Sequence, residues 1–205
     1  MIEENIDKTV ENLREPMVNF VQQMVRMPSL PDEEHAVQEF IANKLKTLET
    51  EVDVFPCQFK QLKDHPAFCD DGFSPDKRID VVGRWEGNGN GRSLILNGHV
   101  DVVPTGDETL WDDSPWSGAV KDGHIYGRGS CDMKAGLSSG IFAMEALKKL
   151  NYKPDGEILF ESVVGEESGG AGTLAAIERG YSADGAVILE PVSYTHLTLP
   201  TILLV

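Results

Sequence analysis

Cysteine is scarce in this sequence, and its few copies follow no pairing pattern. Cys57, Cys69 and Cys131 are the three cysteines among 205 residues, an odd number with no Cys-x-x-Cys spacing. Neither a disulfide framework nor a thiolate zinc site is therefore expected, and a reducing compartment fits this composition.

Long apolar runs are also missing. No stretch approaches the roughly 20 apolar residues that a membrane-spanning helix needs. Residues 1–5 are acidic and lack the apolar core of a secretory signal. We therefore expect a cytoplasmic protein that has no membrane partner.

Basic residues are few relative to acidic ones. The chain has 18 Lys and Arg against 34 Asp and Glu, which gives a formal net charge of -16. Nucleic-acid binding is driven by basic side chains that neutralise phosphates, so we expect no nucleic-acid partner. Most of the carboxylates are expected on a solvated surface, while a few could face a cation.

Apolar periodicity predicts an α/β fold. Residues at three- and four-residue steps predict helices from Ile6 to about Met27, after Pro31, from Ala135 to Leu150 and from Ala171 to Arg179. Short apolar or alternating segments predict strands at Glu51–Phe59, Ile79–Trp85, Ser93–Leu96, Glu157–Val164 and Gly185–Leu189. We expect a mixed central sheet with flanking helices.

Two glycine-containing segments predict β-hairpins. Gly87–Gly91 lies between two predicted strands and offers the positive φ angles of a tight turn. It lacks the Lys-Ser/Thr pair that would indicate a phosphate-binding loop. Asp122-Gly123 predicts a second hairpin that joins Ala119–Lys121 to His124–Tyr126.

Charged side chains follow or end several of the apolar segments. In open α/β sheets, ligands bind just beyond the carboxyl ends of the strands, so these side chains could converge on one crevice. Carboxylates brought together without a partner would repel one another, and a divalent cation removes that repulsion. The side chains concerned are those of His99, Asp101, Asp132, Glu166, Glu167 and Glu190.

The residue types and their spacing favour a metal site. In His99-Val100-Asp101, the imidazole could bind zinc while Asp101 takes the proton of the other ring nitrogen. Asp132 has two oxygens that could bridge two ions. In Glu166-Glu167, one carboxylate could bind a metal while the other acts as general base. Each motif alone also occurs on ordinary protein surfaces; their combination, order and glycine flanks predict the site.

A known family shares this combination. The stretches that carry the likeness are Gly98–Pro104, Trp111–Trp116, Tyr126–Gly129, Asp132–Lys134 and Gly165–Glu167. From about Ile6 to Pro191 the chain resembles the dinuclear zinc hydrolases that include acetylornithine deacetylase, succinyl-diaminopimelate desuccinylase, carboxypeptidase G and aminoacylase. The resemblance implies a zinc-exopeptidase-like catalytic domain.

The resemblance also implies a set of metal ligands. His99 and Glu190 would be the terminal ligands of one zinc ion, Glu167 a ligand of the other, and Asp132 the bridge between them. Asp101 would orient His99. The implied cofactor is Zn²⁺, two ions per active site in the intact parent, with Co²⁺ or Mn²⁺ as alternatives.

The implied reaction is amide hydrolysis. Glu166 would act as general base, taking a proton from the attacking water and returning it to the leaving amine. We expect the substrate to be an N-acyl amino acid, as in deacetylases and desuccinylases, and Glu190 favours the deacylase and carboxypeptidase branches over aminopeptidases. The alternatives are a dipeptidase or carboxypeptidase of the same family, and an inactive fragment or non-catalytic binding module.

Family members are much longer than this 205-residue chain. We expect residues 1–191 to be the N-terminal part of the catalytic domain and residues 192–205 to be a foreign-looking tail. The lid and dimerisation domain and the rest of the catalytic domain would be absent. The intact parent is expected to be a homodimer, and the isolated chain to bind zinc weakly and to have little activity.

Overall fold

Two helices open the chain. The computed structural model describes residues 2–57, 62–72 and 77–191. Helix α1 spans Ile2–Val25 and helix α2 spans His35–Thr47. The apolar periodicity predicted both, and both bury apolar residues at three- and four-residue steps.

Helix α2 begins later than predicted. The sequence predicted a start within Pro31–Glu34, but Asp32 has a φ angle of 74° and the first helical residue is His35. Glu34 is buried, and its carboxylate accepts a hydrogen bond from Arg78 Nε at 2.9 Å. This acidic residue therefore forms a long-range ion pair and is not part of the first helical turn.

The structure contains a mixed sheet at its centre. Its strands, within the described part of the chain, are β1 (Glu51–Pro56), β2 (Ile79–Trp85), β3 (Leu94–His99), β4 (Ala119–Lys121), β5 (His124–Tyr126), β6 (Ile158–Val163) and β7 (Gly185–Ile188). Five of them form one sheet in the order β1-β2-β6-β3-β7, and β4 and β5 form a separate ribbon. β2 is antiparallel to β1 and β6, whereas β3 is parallel to β6 and β7. The predicted mixed sheet is confirmed.

The hairpin predicted at Gly87–Gly91 is wrong. β6 lies between β2 and β3, so the two strands that flank this segment are not neighbours. The segment instead packs on the chain that enters β6: the amides of Asn90 and Gly91 donate to the Asp155 carbonyl oxygen at 3.0 and 3.1 Å. A Cβ atom at Gly87 would lie only 2.4 Å from the carbonyl oxygen of Gly156. Here glycine permits close backbone contact.

The hairpin predicted at Asp122-Gly123 is confirmed. β4 and β5 pair in an antiparallel register that places Lys121 opposite His124. Asp122 and Gly123 have φ angles of 49° and 77°, the positive values that a two-residue hairpin turn requires.

Helices cover both faces of the sheet. The two remaining α-helices are α3 (Ala135–Lys149) and α4 (Ala171–Glu178). α2 and α3 lie on one face, where Leu45 packs against Gly83 and Gly140 packs against Phe160. α4 lies on the other face and contacts β2 and β6. This layered arrangement leaves the carboxyl ends of the three parallel strands, β3, β6 and β7, at one edge of the sheet.

Two further sequence predictions concern the C-terminal tail and membrane-spanning segments. The tail predicted from residue 192 lies outside the described residues. Among residues 2–57, 62–72 and 77–191, no helix combines the length and the apolar character needed to cross a membrane.

Candidate metal centre

The parallel strands bring histidine and glutamates to one edge of the sheet. His99 is the last residue of β3, and its imidazole is 1% exposed. Glu166 and Glu167 follow β6, and Glu190 follows β7, whose ladder with β3 is extended by a hydrogen bond from Leu189 N to Asn97 O. Because the three strands are parallel, the residues after them arrive on the same side of the molecule.

Asp132 reaches the same place from a tight turn. It lies in the π-type turn Ser130–Lys134 that leads into α3, with non-helical angles of φ -110° and ψ 100°. The buried ammonium of Lys134 anchors this turn, since it donates to the carbonyl oxygens of Met24 and Met27 at 2.9 and 3.0 Å. Burial lowers the pKa of Lys134 to about 7.

The carboxylates surround one imidazole nitrogen. His99 Nε2 lies 3.1 Å from an oxygen of Glu190, 3.3 Å from an oxygen of Asp132 and 3.7 Å from an oxygen of Glu166. Donor atoms of His99, Asp132 and Glu167 all lie within 4.8 Å of one another. The structure therefore brings the predicted ligands together.

Asp101 contacts His99 through its backbone carbonyl oxygen as well as through its carboxylate. His99 Nδ1 lies 2.9 Å from the backbone carbonyl oxygen of Asp101 and 3.5 Å from its carboxylate. A carbonyl oxygen can only accept, so Nδ1 carries the proton in the neutral ring and the lone pair is on Nε2. The backbone carbonyl oxygen of Asp101 thus holds the tautomer predicted for metal binding, and the carboxylate of the same residue lies beside the same nitrogen.

The Asp101 carboxylate has a second function that sequence reasoning missed. It is buried and accepts hydrogen bonds from the backbone amides of Glu166 at 3.3 Å and Glu167 at 3.1 Å. Asp101 therefore fixes the backbone of the Glu166-Glu167 doublet while its carbonyl oxygen holds His99. No sequence signal links a His-x-Asp motif to amides that lie more than sixty residues away.

The centre carries an excess of negative charge. Burial opposes protonation of His99, but the hydrogen bond and charge of Asp101, together with the charges of Glu190 and Glu166, raise its pKa to about 9. Burial raises the pKa of Glu167, and the charge of Asp132 adds to that shift. Burial also raises the pKa of Glu190. All three raised pKa values favour the protonated side chains. A bound cation would balance the negative charge of the carboxylates in place of these protons.

The donor set fits a divalent metal ion. His99 Nε2 is buried and makes no hydrogen bond within the described residues. Its neighbours are carboxylate oxygens, and the side chains of Asp132, Glu166 and Glu190 are 59%, 51% and 30% exposed. One imidazole nitrogen with several carboxylate oxygens, open to solvent on one side, matches the ligands of Zn²⁺ and related ions.

Comparison with known proteins gives matches along most of the chain. Residues 95–202 match the model described as Peptidase family M20/M25/M40. Over 184 residues the chain is 35% identical to N-formyl-4-amino-5-aminomethyl-2-methylpyrimidine deformylase from Halalkalibacterium halodurans. The aligned region covers 88% of this chain and 40% of that protein. The Bacillus subtilis protein of the same name is 38% identical over 127 residues, or 58% of this chain and 30% of that protein.

A solved structure shows the same fold. The crystal structure of human carnosine dipeptidase 1 superposes with a TM-score of 0.73 at 21% identity, covering 90% of this chain and 40% of that one. The chain thus spans less than half of the length of each of these proteins.

Proposed function

Because this chain belongs to peptidase family M20/M25/M40, we propose that it forms the metal-binding part of a hydrolase that cleaves a linear amide bond in a small molecule. The observation that carries the proposal is the Nε2 atom of His99, which is buried, makes no hydrogen bond within the described residues and faces the oxygens of Asp132 and Glu190. Such a group is costly unless a cation or proton satisfies it.

The proposed metal is zinc, with Co²⁺ or Mn²⁺ as substitutes. His99 and Glu190 would hold one ion, Glu167 would hold a second, and Asp132 would lie between them. Bound there, a divalent ion supplies Lewis-acid stabilisation of the developing oxyanion and lowers the pKa of a water molecule.

Glu166 is the proposed general base. Its side chain is half exposed, and one oxygen lies 3.7 Å from His99 Nε2. From this position the carboxylate can take a proton from the attacking water and return it to the leaving amine. Asp101 would hold the Glu166 backbone through its 3.3 Å hydrogen bond, which limits the positions that the carboxylate can take.

The proposed substrates are small N-acyl amines. Two relatives, at 35% and 38% identity, are named for removal of a formyl group from an aminomethylpyrimidine. This supports deacylation, and the N-formyl compound named in those relatives is the first candidate, followed by N-acyl amino acids. The dipeptidase alternative has weaker support, because the likeness to carnosine dipeptidase 1 at 21% identity concerns the fold.

The test compares three substrate classes. The 205-residue chain, and a chain of the relatives' length that contains residues 1–191, are assayed with the N-formyl aminomethylpyrimidine, with N-acetyl amino acids and with dipeptides. Deacylation that depends on added Zn²⁺, and that falls by at least about 100-fold in Glu166→Gln with unchanged metal content, supports the proposal. Equal turnover by Glu166→Gln would reject the role of Glu166.

We also propose the domain boundary and assembly predicted above. Residues 1–191 would be the N-terminal part of the catalytic domain of a cytoplasmic homodimer, and residues 192–205 would be foreign to it. The family match, which extends to residue 202, runs across this boundary. Reading the source DNA beyond codon 191 tests the boundary. A continuous natural reading frame that ends at Val205 would contradict it.

A further inference from the structure

A buried arginine lies behind the turn that carries the two glutamates. Arg78 immediately precedes β2, and its side chain has no exposed surface. Its Nε donates to Glu34 at 2.9 Å and its Nη1 donates to Asp71 at 2.5 Å. One guanidinium thus joins the residue that precedes α2 to the loop before β2.

The same guanidinium contacts the turn after β6. Gly165 has a φ angle of 75°, and a Cβ atom there would lie 2.8 Å from Arg78 Nη2. Ser168, at the other end of the turn, donates its hydroxyl to the same Asp71 oxygen at 2.7 Å. The turn Gly165–Ser168 therefore packs against the Arg78 guanidinium at Gly165, and at Ser168 it is hydrogen-bonded to Asp71, the ion-pair partner of Arg78.

Arg78 is also coupled to the front of the turn. Burial would lower its pKa, but the charges and hydrogen bonds of Glu34 and Asp71, with the charge of Asp101, raise it. The Asp101 carboxylate accepts the hydrogen bonds from the backbone amides of Glu166 and Glu167. The turn thus lies between the Asp101 carboxylate on one side and the Arg78 guanidinium on the other, and these two groups have opposite charges.

We propose that Arg78 is a positioning residue of the metal centre, because its guanidinium fixes the turn Gly165–Ser168 and thereby the backbone of Glu166 and Glu167. Arg78 itself touches neither metal nor substrate. The inference rests on the proposed function of the two glutamates, and it goes beyond that function because it assigns the geometry of the turn to a group outside the centre.

Lysine could not replace the arginine. Two guanidinium nitrogens donate to two different carboxylates, Glu34 and Asp71, and the third nitrogen packs against Gly165. An ammonium is a single point charge on a flexible stem and cannot keep this forked geometry. The change Arg78→Lys therefore keeps the charge and removes the fork.

The experiment measures amide hydrogen exchange and Zn²⁺ affinity on the 205-residue chain. In Arg78→Lys, we expect the amides of Glu166 and Glu167 to exchange about tenfold faster than in the wild type, while those of β6 keep their rates. The dissociation constant for Zn²⁺ should rise about tenfold, the size found for groups that orient metal ligands. Arg84→Lys, at a half-exposed arginine of strand β2, is the matched control and should change neither quantity.

A milder variant keeps the test decisive if Arg78→Lys fails to fold. Ser168→Ala removes one hydroxyl and should accelerate exchange of the two glutamate amides about threefold. Unchanged exchange in Ser168→Ala and Arg78→Lys would overturn the inference, as would an equal rise in exchange throughout the sheet. If the wild-type chain binds no Zn²⁺, the proposed function fails, while the exchange rates still decide the role of Arg78.

Discussion

His99 Nδ1 lies 2.9 Å from the backbone carbonyl oxygen of Asp101, closer than the 3.5 Å to the carboxylate of that residue. The backbone contact leaves the Asp101 side chain to hold the amides of Glu166 and Glu167. One residue therefore sets the tautomer of the imidazole and the position of the glutamate doublet by means of two different groups.

The first prediction separates these two groups. Asp101→Asn keeps the backbone carbonyl, so the His99 tautomer should persist, but the new amide can accept only one of the two backbone N–H groups. The Zn²⁺ dissociation constant should rise at least about tenfold because the doublet loosens. Zn²⁺ competition titration measures this, and NMR of the His99 ring reports the tautomer.

The control for that variant is Asp64→Asn, which removes an exposed carboxylate. It should leave the Zn²⁺ affinity unchanged. A change of tautomer in Asp101→Asn would show that the carboxylate, and not the carbonyl oxygen, governs the ring.

The second prediction concerns metal removal. A divalent ion that relieves repulsion among Asp132, Glu166, Glu167 and Glu190 should stabilise the folded chain, by about 2.7 kcal/mol when free Zn²⁺ is 100 times its dissociation constant. The melting temperature, measured with Zn²⁺ and with a chelator, should fall on chelation. In His99→Gln the difference between the two conditions should disappear; a difference of wild-type size would place the stabilising ion elsewhere.

The third prediction is a pH dependence at Asp80. Burial raises the pKa of this carboxyl from 3.8 to about 7. The folded state therefore binds more protons than the unfolded state between these values, and the contribution of Asp80 to stability is full below pH 3.8 and is lost as the pH rises through about 7. Asp80→Asn should remove this loss, which amounts to at most about 1.4 kcal/mol per pH unit.

Asparagine suits this test because it can still accept the hydrogen bond from Val164 N, now 3.0 Å from Asp80 Oδ1. Urea unfolding of wild type and variant between pH 4 and 8 gives the difference in slope. Parallel pH profiles would show that Asp80 titrates in the folded protein as it does in the unfolded chain.

The fourth prediction tests close packing beside the centre. A Cβ atom at Gly98 would lie 2.5 Å from Met133 Cε and 2.9 Å from Leu137 Cδ2. Gly98→Ala should therefore lower the free energy of unfolding by about 1 to 3 kcal/mol, as overpacked cores do. Gly185→Ala is the control, since nothing lies within 4 Å of a Cβ atom there. Urea denaturation measures both; an equal effect of the two changes would contradict the packing.

The sequence predicted those features that depend on local pattern. Apolar periodicity located helices α1 and α3, and the residues after β3, β6 and β7 were expected at one edge because parallel strands deliver their carboxyl ends together. His99 does meet Asp132 and Glu167 there in one group, and Glu166 and Glu190 in another. Their roles as ligands stay a prediction.

The features that were missed depend on distant contacts. The glycines of Gly87–Gly91 have the composition of a hairpin turn, but β6 pairs with β2 and takes the place that a hairpin would give to β3. Arg78 was unremarkable in the sequence because Glu34, Asp71 and Gly165 join it only through the fold. Local residue types do not encode such pairings, which are set by the packing of the whole sheet.

The measurement that tests the central claim most directly is anomalous X-ray diffraction at the zinc absorption edge from crystals grown with Zn²⁺. The account predicts a peak about 2.0 to 2.1 Å from His99 Nε2, with oxygens of Asp132 and Glu190 in the same coordination sphere. A Zn²⁺-saturated crystal whose peaks lie away from His99, with its Nε2 bonded only to protein or water, would contradict it.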